Sequence, residues 1–132
     1  MGYRSDVAIA LRREDMVDLL KRAEALDRDA FGILLRGEHI MSDSGRYVVW
    51  HQRWIKWYED YEEIRFIMSI VRGYDCYAFK RIGEDFDDIE AENGYSDDNY
   101  DGFVLDELID INRSFDISGD MVDAHWLMEV SK

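Results

Sequence analysis

The sequence predicts an α+β fold: a ferredoxin-like βαββαβ unit with an additional C-terminal strand and a short terminal helix. Three observations carry this expectation. Runs with a period of two and runs with a helical period follow one another in the order β-α-β-β-α-β. Each predicted helix lies between strands, which places both helices on one face of an antiparallel sheet. The chain has 132 residues, 47% of them hydrophobic and 14% aromatic, enough for one domain with its own core over residues 1–132.

The first strand is read in YRSDVAIAL. Tyr3, Ser5, Val7, Ile9 and Leu11 share one face, and Arg4, Asp6, Ala8 and Ala10 the other. REDMVDLLKRAEAL then places Met16, Leu19, Leu20, Ala23 and Leu26 on one helical stripe, with acids in its first turns, where the helix dipole favours them. ILLRGEHIM and RYVVWHQRWIKW read as two strands joined through the turn residues Ser42 to Gly45. EDYEEIRFIMSIVRG is a second helix with Tyr61, Ile64, Met68 and Val71 on one face, and Gly73 is expected to end it as a left-handed cap. YDCYAFKRI is a strand, ELIDINRSFDIS another, and GDMVDAHWLMEV a short terminal helix.

Charge is distributed unevenly. Residues 1–81 carry fourteen acids and fourteen bases, whereas residues 83–112 carry twelve acids and no base, so nearly all of the net −14 lies in one segment. Such a segment projects a directional negative field that repels nucleic acid and anionic membrane and attracts basic clefts. Evenly spaced carboxylates offer a cleft what phosphates offer it. Asp85, Asp87, Asp88, Glu90, Glu92, Asp97, Asp98 and Asp101 are therefore the candidate partner contacts.

One stretch of the segment has metal-ligand spacing. Asp97, Asn99, Asp101 and Gly102 follow the D-x-N-x-D-G pattern of a calcium loop, but its twelfth position is Leu108 rather than the closing Glu. These three ligands make a weak candidate, and no metal or other cofactor is expected.

Trp50, Trp54 and Trp57 fall in the third strand. Strict alternation puts Tyr47, Val49, His51, Arg53, Ile55 and Trp57 on one face and Val48, Trp50, Gln52, Trp54 and Lys56 on the other. With helices on one side only, aromatics on the bare side would form an interface, and a homodimer is one way to cover it. RNA-type base stacking is disfavoured because the net charge repels phosphate. Arg53 and Arg113 are candidate anion contacts, although pairing with an acid of the preceding segment is the first expectation for Arg113.

The remaining residues point away from chemistry. His39, His51 and His125 lack metal-ligand spacing, and Cys76 lacks a basic neighbour to activate it. A lone cysteine fits a reducing cytoplasm, the N-terminus is not a signal peptide, and no apolar run approaches a membrane span. The chain is expected to be non-enzymatic.

The opening MGYRSDVAIAL resembles small uncharacterised proteins encoded by tailed bacteriophages and prophages, as FKRIGEDFDDIE and INRSFDI do more loosely. The resemblance implies a bacterial host cytoplasm and an accessory phage product. Inhibitors of host defence are common among such products. The functional expectation is a protein that blocks the basic, nucleic-acid-binding site of a host defence protein or ribonucleoprotein, as an anti-CRISPR or anti-restriction inhibitor would. It would make no direct contact with nucleic acid or membrane. The alternatives are a small-ligand or calcium binder, or an assembly protein whose acids solvate a loop.

Overall fold

The computed structural model describes residues 3–85, 87–94, 100–112 and 114–130, with the backbone alone at 100–103, 111–112, 114 and 116. Its centre is the strand β1 (Ser5–Arg12), whose two faces are both apolar. Val7, Ile9 and Leu11 enter one core, and Ala8 and Ala10 enter a second on the opposite side. β1 lies between β3 (Tyr47–Ile55) and β4 (Tyr77–Gly83), antiparallel to each. β2 (Glu38–Met41) pairs with β3 through the hairpin expected at Ser42 to Gly45, where Gly45 takes a positive φ of 75° that favours glycine. β5 (Ile89–Gly94) and β8 (Asp120–Val122) complete a six-stranded antiparallel sheet in the order β5-β4-β1-β3-β2-β8. This is an α+β fold. The six-strand order is not that of a simple ferredoxin-like sheet, because β5 and β8 lie outside β4 and β2.

Four helices pack on the first face. α1 (Arg13–Leu26) spans the expected residues and buries Met16, Leu19, Leu20 and Ala23, while Leu26 at the end of the stripe is exposed. α2 (Arg28–Arg36) corrects the strand read in ILLRGEHIM. Three adjacent apolar residues do not distinguish strand from helix. Here Asp27 accepts a hydrogen bond from the Ala30 amide at 3.0 Å and starts a helix whose Ala30, Ile33 and Leu34 face the core. The strand begins only after Gly37, where a Cβ would collide with the Trp50 indole. That indole donates from Nε1 to the Leu34 carbonyl at 3.0 Å and joins α2 to the sheet. α3 (Glu62–Val71) buries Ile64, Ile67, Met68 and Val71. It ends in right-handed backbone at Arg72, so Gly73 is not the left-handed cap expected. The terminal run GDMVDAHWLMEV divides into β8 and α5 (Ala124–Val130), which buries Ala124, Leu127 and Met128.

The larger correction concerns the second face, expected to be bare. It is covered by the acidic segment and the residues that follow. α4 (Tyr100–Glu107) and the hairpin β6 (Ile109–Asn112) and β7 (Ser114–Ile117) bring Leu105, Ile109 and Phe115 against Ala8, Ala10, Val49, Cys76 and Ala78. Helices therefore lie on both faces of the sheet, and ELIDINRSFDIS is a two-stranded sheet of its own rather than an added edge strand. The alanines of β1 and β4 leave room for this layer to approach closely. Burying Leu105, Ile109 and Phe115 stabilises it by about 5–9 kcal/mol before ordering costs. A surface ion pair contributes about 0–1 kcal/mol. Apolar packing, not charge, thus holds an acidic segment against the sheet. Lys80 fixes where α4 stops: its Nζ donates to the carbonyls of Asp106 at 2.9 Å and Ile109 at 2.7 Å.

The tryptophans depart from strict alternation for one local reason. Between the pairs Val7–Gln52 and Ser5–Ile55, β3 advances three residues while β1 advances two. The extra residue is a β-bulge, and Trp54 within it has φ 61°. The bulge reverses the parity of everything after it. Trp50 and Trp57, expected on opposite faces, lie in the same core with ring centroids 5.8 Å apart, and Trp54 points to solvent, 63% exposed. With the second face covered, and with Trp54 alone exposed among Trp50, Trp54 and Trp57, the ground for expecting a dimer across that face is gone.

Trp54→Gly should leave the melting temperature unchanged or raise it by a few degrees. Relief of about 1–3 kcal/mol of positive-φ strain offsets the ~1 kcal/mol entropy cost of glycine. Trp57→Ala should cost about 3–5 kcal/mol. Thermal melts of both variants check this, and an equal loss in the two would mean that the Trp54 ring is packed in solution.

Candidate functional site

The end of the sheet where β1 begins and β4 turns into β5 gathers a connected network of polar side chains. Its organiser is Arg81, which the sequence reading left just outside the acidic segment. On β4 it stands directly across from Glu90 of β5. Its side chain is 12% exposed, and four of its five N–H groups make hydrogen bonds. Nε donates to Glu90 Oε1 at 2.8 Å, Nη1 to Ser5 Oγ at 2.9 Å and Asp88 Oδ2 at 3.2 Å, and Nη2 to Asp88 Oδ1 at 2.8 Å. Nη2 also lies 2.7 Å from Glu90 Oε1. Tyr3 donates its hydroxyl to Asp88 Oδ2 at 2.6 Å and accepts from the Asp85 amide at 3.0 Å. Hydrogen bonds from Arg81 and then Tyr3 hold the Asp88 carboxyl below its ordinary range.

A second clasp lies further along β5. Glu92 accepts from Arg72 Nε at 2.8 Å and from the Tyr77 hydroxyl at 2.6 Å, and Arg72 also reaches Glu59 at 2.7 Å. Arg72, more than Tyr77, lowers the Glu92 carboxyl. Three of the expected partner contacts, Asp88, Glu90 and Glu92, are therefore engaged by cations of the body and do not form a free ladder of acids. Asp85 and Asp87 are exposed, with Glu84 beside them. Asp97 and Asp98 lie outside the described residues, as does the side chain of Asp101.

The bulge adds an aromatic to this end of the sheet. Asp6 accepts from the Trp54 amide at 3.0 Å, and Arg4 donates to the Trp54 carbonyl at 3.3 Å while its own amide donates to Glu84 at 3.0 Å. Arg53 is exposed beside Trp54, and Arg113 lies outside the described residues. Behind the bulge is a cleft of about 310 Å³ lined by Tyr3, Trp57, Tyr58, Phe79 and the carboxylates Glu59, Asp60, Asp88 and Glu90, with Arg81 in its wall. The buried Trp57 Nε1–H has no acceptor among the described residues. Sequence reasoning missed Tyr3, Tyr58 and Arg81. The signal available was the adjacency of Lys80–Arg81 and the acids of 84–92, which pair once β4 and β5 are read as neighbours.

The calcium motif meets a geometric obstacle. Its first and third positions, Asp97 and Asn99, lie outside the described residues, but α4 occupies the fourth to the eleventh. A calcium loop must turn at its sixth position, and Gly102 there is inside a helix. α4 begins too early in the motif to serve as the helix that follows a calcium loop. Among the described residues no three His, Cys, Asp or Glu side chains converge on a metal position. His39, buried on β2, has an unpartnered Nε2, and burial lowers it to about 4. Cys76 is buried in the second core.

No protein-family model, curated protein or solved structure matches the chain.

Two outcomes follow. Millimolar calcium should raise the melting temperature no more than matched magnesium does, and a calcium-specific rise lost in Asp97→Ala would contradict this. His39 binds its proton near pH 6.5 when unfolded and near 4 when folded, so it makes the protein less stable as pH falls through that window. The loss is on the order of 2–3 kcal/mol. Asp15, raised to about 6 mainly by burial, acts in the opposite direction between its unfolded value of 3.8 and 6. Denaturant unfolding of wild type and His39→Gln at pH 7 and pH 4 therefore isolates the histidine, and parallel pH dependences would remove it as the cause.

Proposed function

We propose that the chain is a binding protein without chemistry of its own, whose acidic, aromatic sheet end occupies a basic site on a macromolecular partner. The observation that carries this reading is the direction of the charges. Arg81 and Arg72 are spent on Asp88, Glu90 and Glu92, while Glu84, Asp85 and Asp87 are left to solvent at the same end of the sheet as the exposed Trp54. An exposed aromatic beside unpaired carboxylates suits a basic protein surface, with the ring as anchor and the acids supplying steering and specificity. The resemblance to phage-encoded proteins and the net −14 favour a host defence protein or ribonucleoprotein whose nucleic-acid site is blocked, in the manner of an anti-CRISPR or anti-restriction inhibitor in the bacterial cytoplasm. Among the described residues the free carboxylates at this end, Glu84, Asp85 and Asp87, are few, and charge complementarity describes them better than imitation of a duplex. The frame for this surface is read as ferredoxin-like at its centre, the strands β4-β1-β3-β2, with β5 added to carry the acids.

The triple variant Glu84→Gln, Asp85→Asn, Asp87→Asn tests the reading. It should fold as the wild type does, since none of these three carboxylates pairs with a cation among the described residues. Expressed in a bacterial host under immune attack, the wild type should protect infecting phage, and the variant should protect about tenfold less through slower association with its target. Wild-type binding to the target should weaken with salt and be competed by nucleic acid. Equal protection at equal expression would overturn it.

A further inference from the structure

The cleft behind the bulge is shaped and charged for one kind of occupant. At about 310 Å³ it is at the small end of the roughly 300–1,000 Å³ of ligand sites, closer to a side chain than to a nucleotide cofactor. It is a poor site for an anion on Arg81, because that guanidinium already pairs with two carboxylates, Asp88 and Glu90, and four of its N–H groups are hydrogen-bonded. Tyr3 is spent as well, donating to Asp88 and accepting from Asp85. What remains unused is almost all acceptor. Glu90 Oε2 and both oxygens of Asp60 take no hydrogen bond among the described residues, and Glu59 keeps one oxygen beyond its pair with Arg72. Aromatic rings of Trp57, Tyr58 and Phe79 supply the rest of the wall. Aromatic faces beside free carboxylates attract cations, and no three metal-ligating side chains converge here to hold a bare ion. Trp57, which lines the cleft, has no acceptor for its buried Nε1–H among the described residues.

We propose that this cleft receives an arginine side chain of the partner, the guanidinium against Asp60 and Glu90 and the stem along Tyr58. Arginine fits better than lysine because its planar fork can meet two carboxylates and stack on a ring at once. The inference rests on the reading that the partner is basic, and it assigns the specific anchor within that surface.

The test uses the isolated protein and capped amino acids, with the indole N–H resonances of the four tryptophans followed by NMR at matched ionic strength. N-acetyl-arginine methylamide should displace the Trp57 resonance to saturation, and N-acetyl-lysine methylamide should bind about fivefold more weakly. The citrulline analogue, equal in length but neutral, should leave the resonance in place. Asp60→Asn and Tyr58→Ala should each weaken the arginine probe about fivefold while the other indole resonances stay where they are. Equal displacement by citrulline, equal affinity for lysine, or a linear response that persists in both variants would overturn the assignment. Because no macromolecular partner enters this experiment, the two readings fail separately. A negative result here with loss of phage protection in the triple variant removes the arginine pocket alone, and saturable arginine binding with no such loss removes the proposed function alone.

Discussion

A sheet with two apolar faces must be covered twice, and this chain has limited material for the second cover. α1, α2, α3 and α5 are committed to the face of Val7, Ile9, Leu11 and Trp50. Ala8, Ala10, Val49 and Ala78 on the other face would be left in water, and such patches rarely stay exposed. Residues 100–117 supply the cover. The acidic segment is thus a layer of the fold with an apolar inner side, Leu105 and Ile109, and carboxylates elsewhere along it. Its acidity and its structural role are compatible because a helix and a strand each present different residues to their two sides.

Lys80 and Arg81 divide that segment between the two faces. Adjacent residues on a strand point to opposite sides, so Lys80 meets the end of α4 while Arg81 meets Asp88, just before β5, and Glu90 on β5. Two neighbouring cations on β4 therefore hold both ends of the acidic segment's described structure. The same engagement neutralises three carboxylates, while Glu84, Asp85 and Asp87 at this end of the sheet are exposed and pair with no cation among the described residues.

The bulge at Trp54 acts on the other side of the same site. One extra residue in β3 turns Trp57 inward, against Phe79 at 6.1 Å, and leaves Trp54 outside on a strained backbone held by Asp6 and Arg4. Strain of this kind persists where the surroundings impose it, and binding surfaces are a common place for it. Tyr58, Glu59 and Asp60 follow directly and form the rim of the cleft. The exposed Trp54, the cleft and the exposed acids therefore lie at two adjacent irregularities, the bulge in β3 and the turn from β4 into β5.

The sequence by itself determined the α+β class, the helix over Arg13–Leu26, the alternation of β1, the hairpin at Ser42 to Gly45 and the concentration of charge after residue 82. These are local properties: a period of 3.6 or 2 over eight or more residues, or turn chemistry within four, is decided by neighbours in the chain. Only the tertiary structure decided the rest. Ile33 and Leu34 became helical because Asp27 starts a helix whose apolar residues face the core. Trp57 joined Trp50 because a bulge, set by pairing with β1, inverted the face of every later residue. The acids changed meaning most of all. Whether Asp88 projects a charge or neutralises one depends on Arg81, seven residues away in sequence and brought against it by the register of β4 with β5. A charge pattern read along the chain cannot count partners that arrive across a sheet, because electrostatics depends on distance in space.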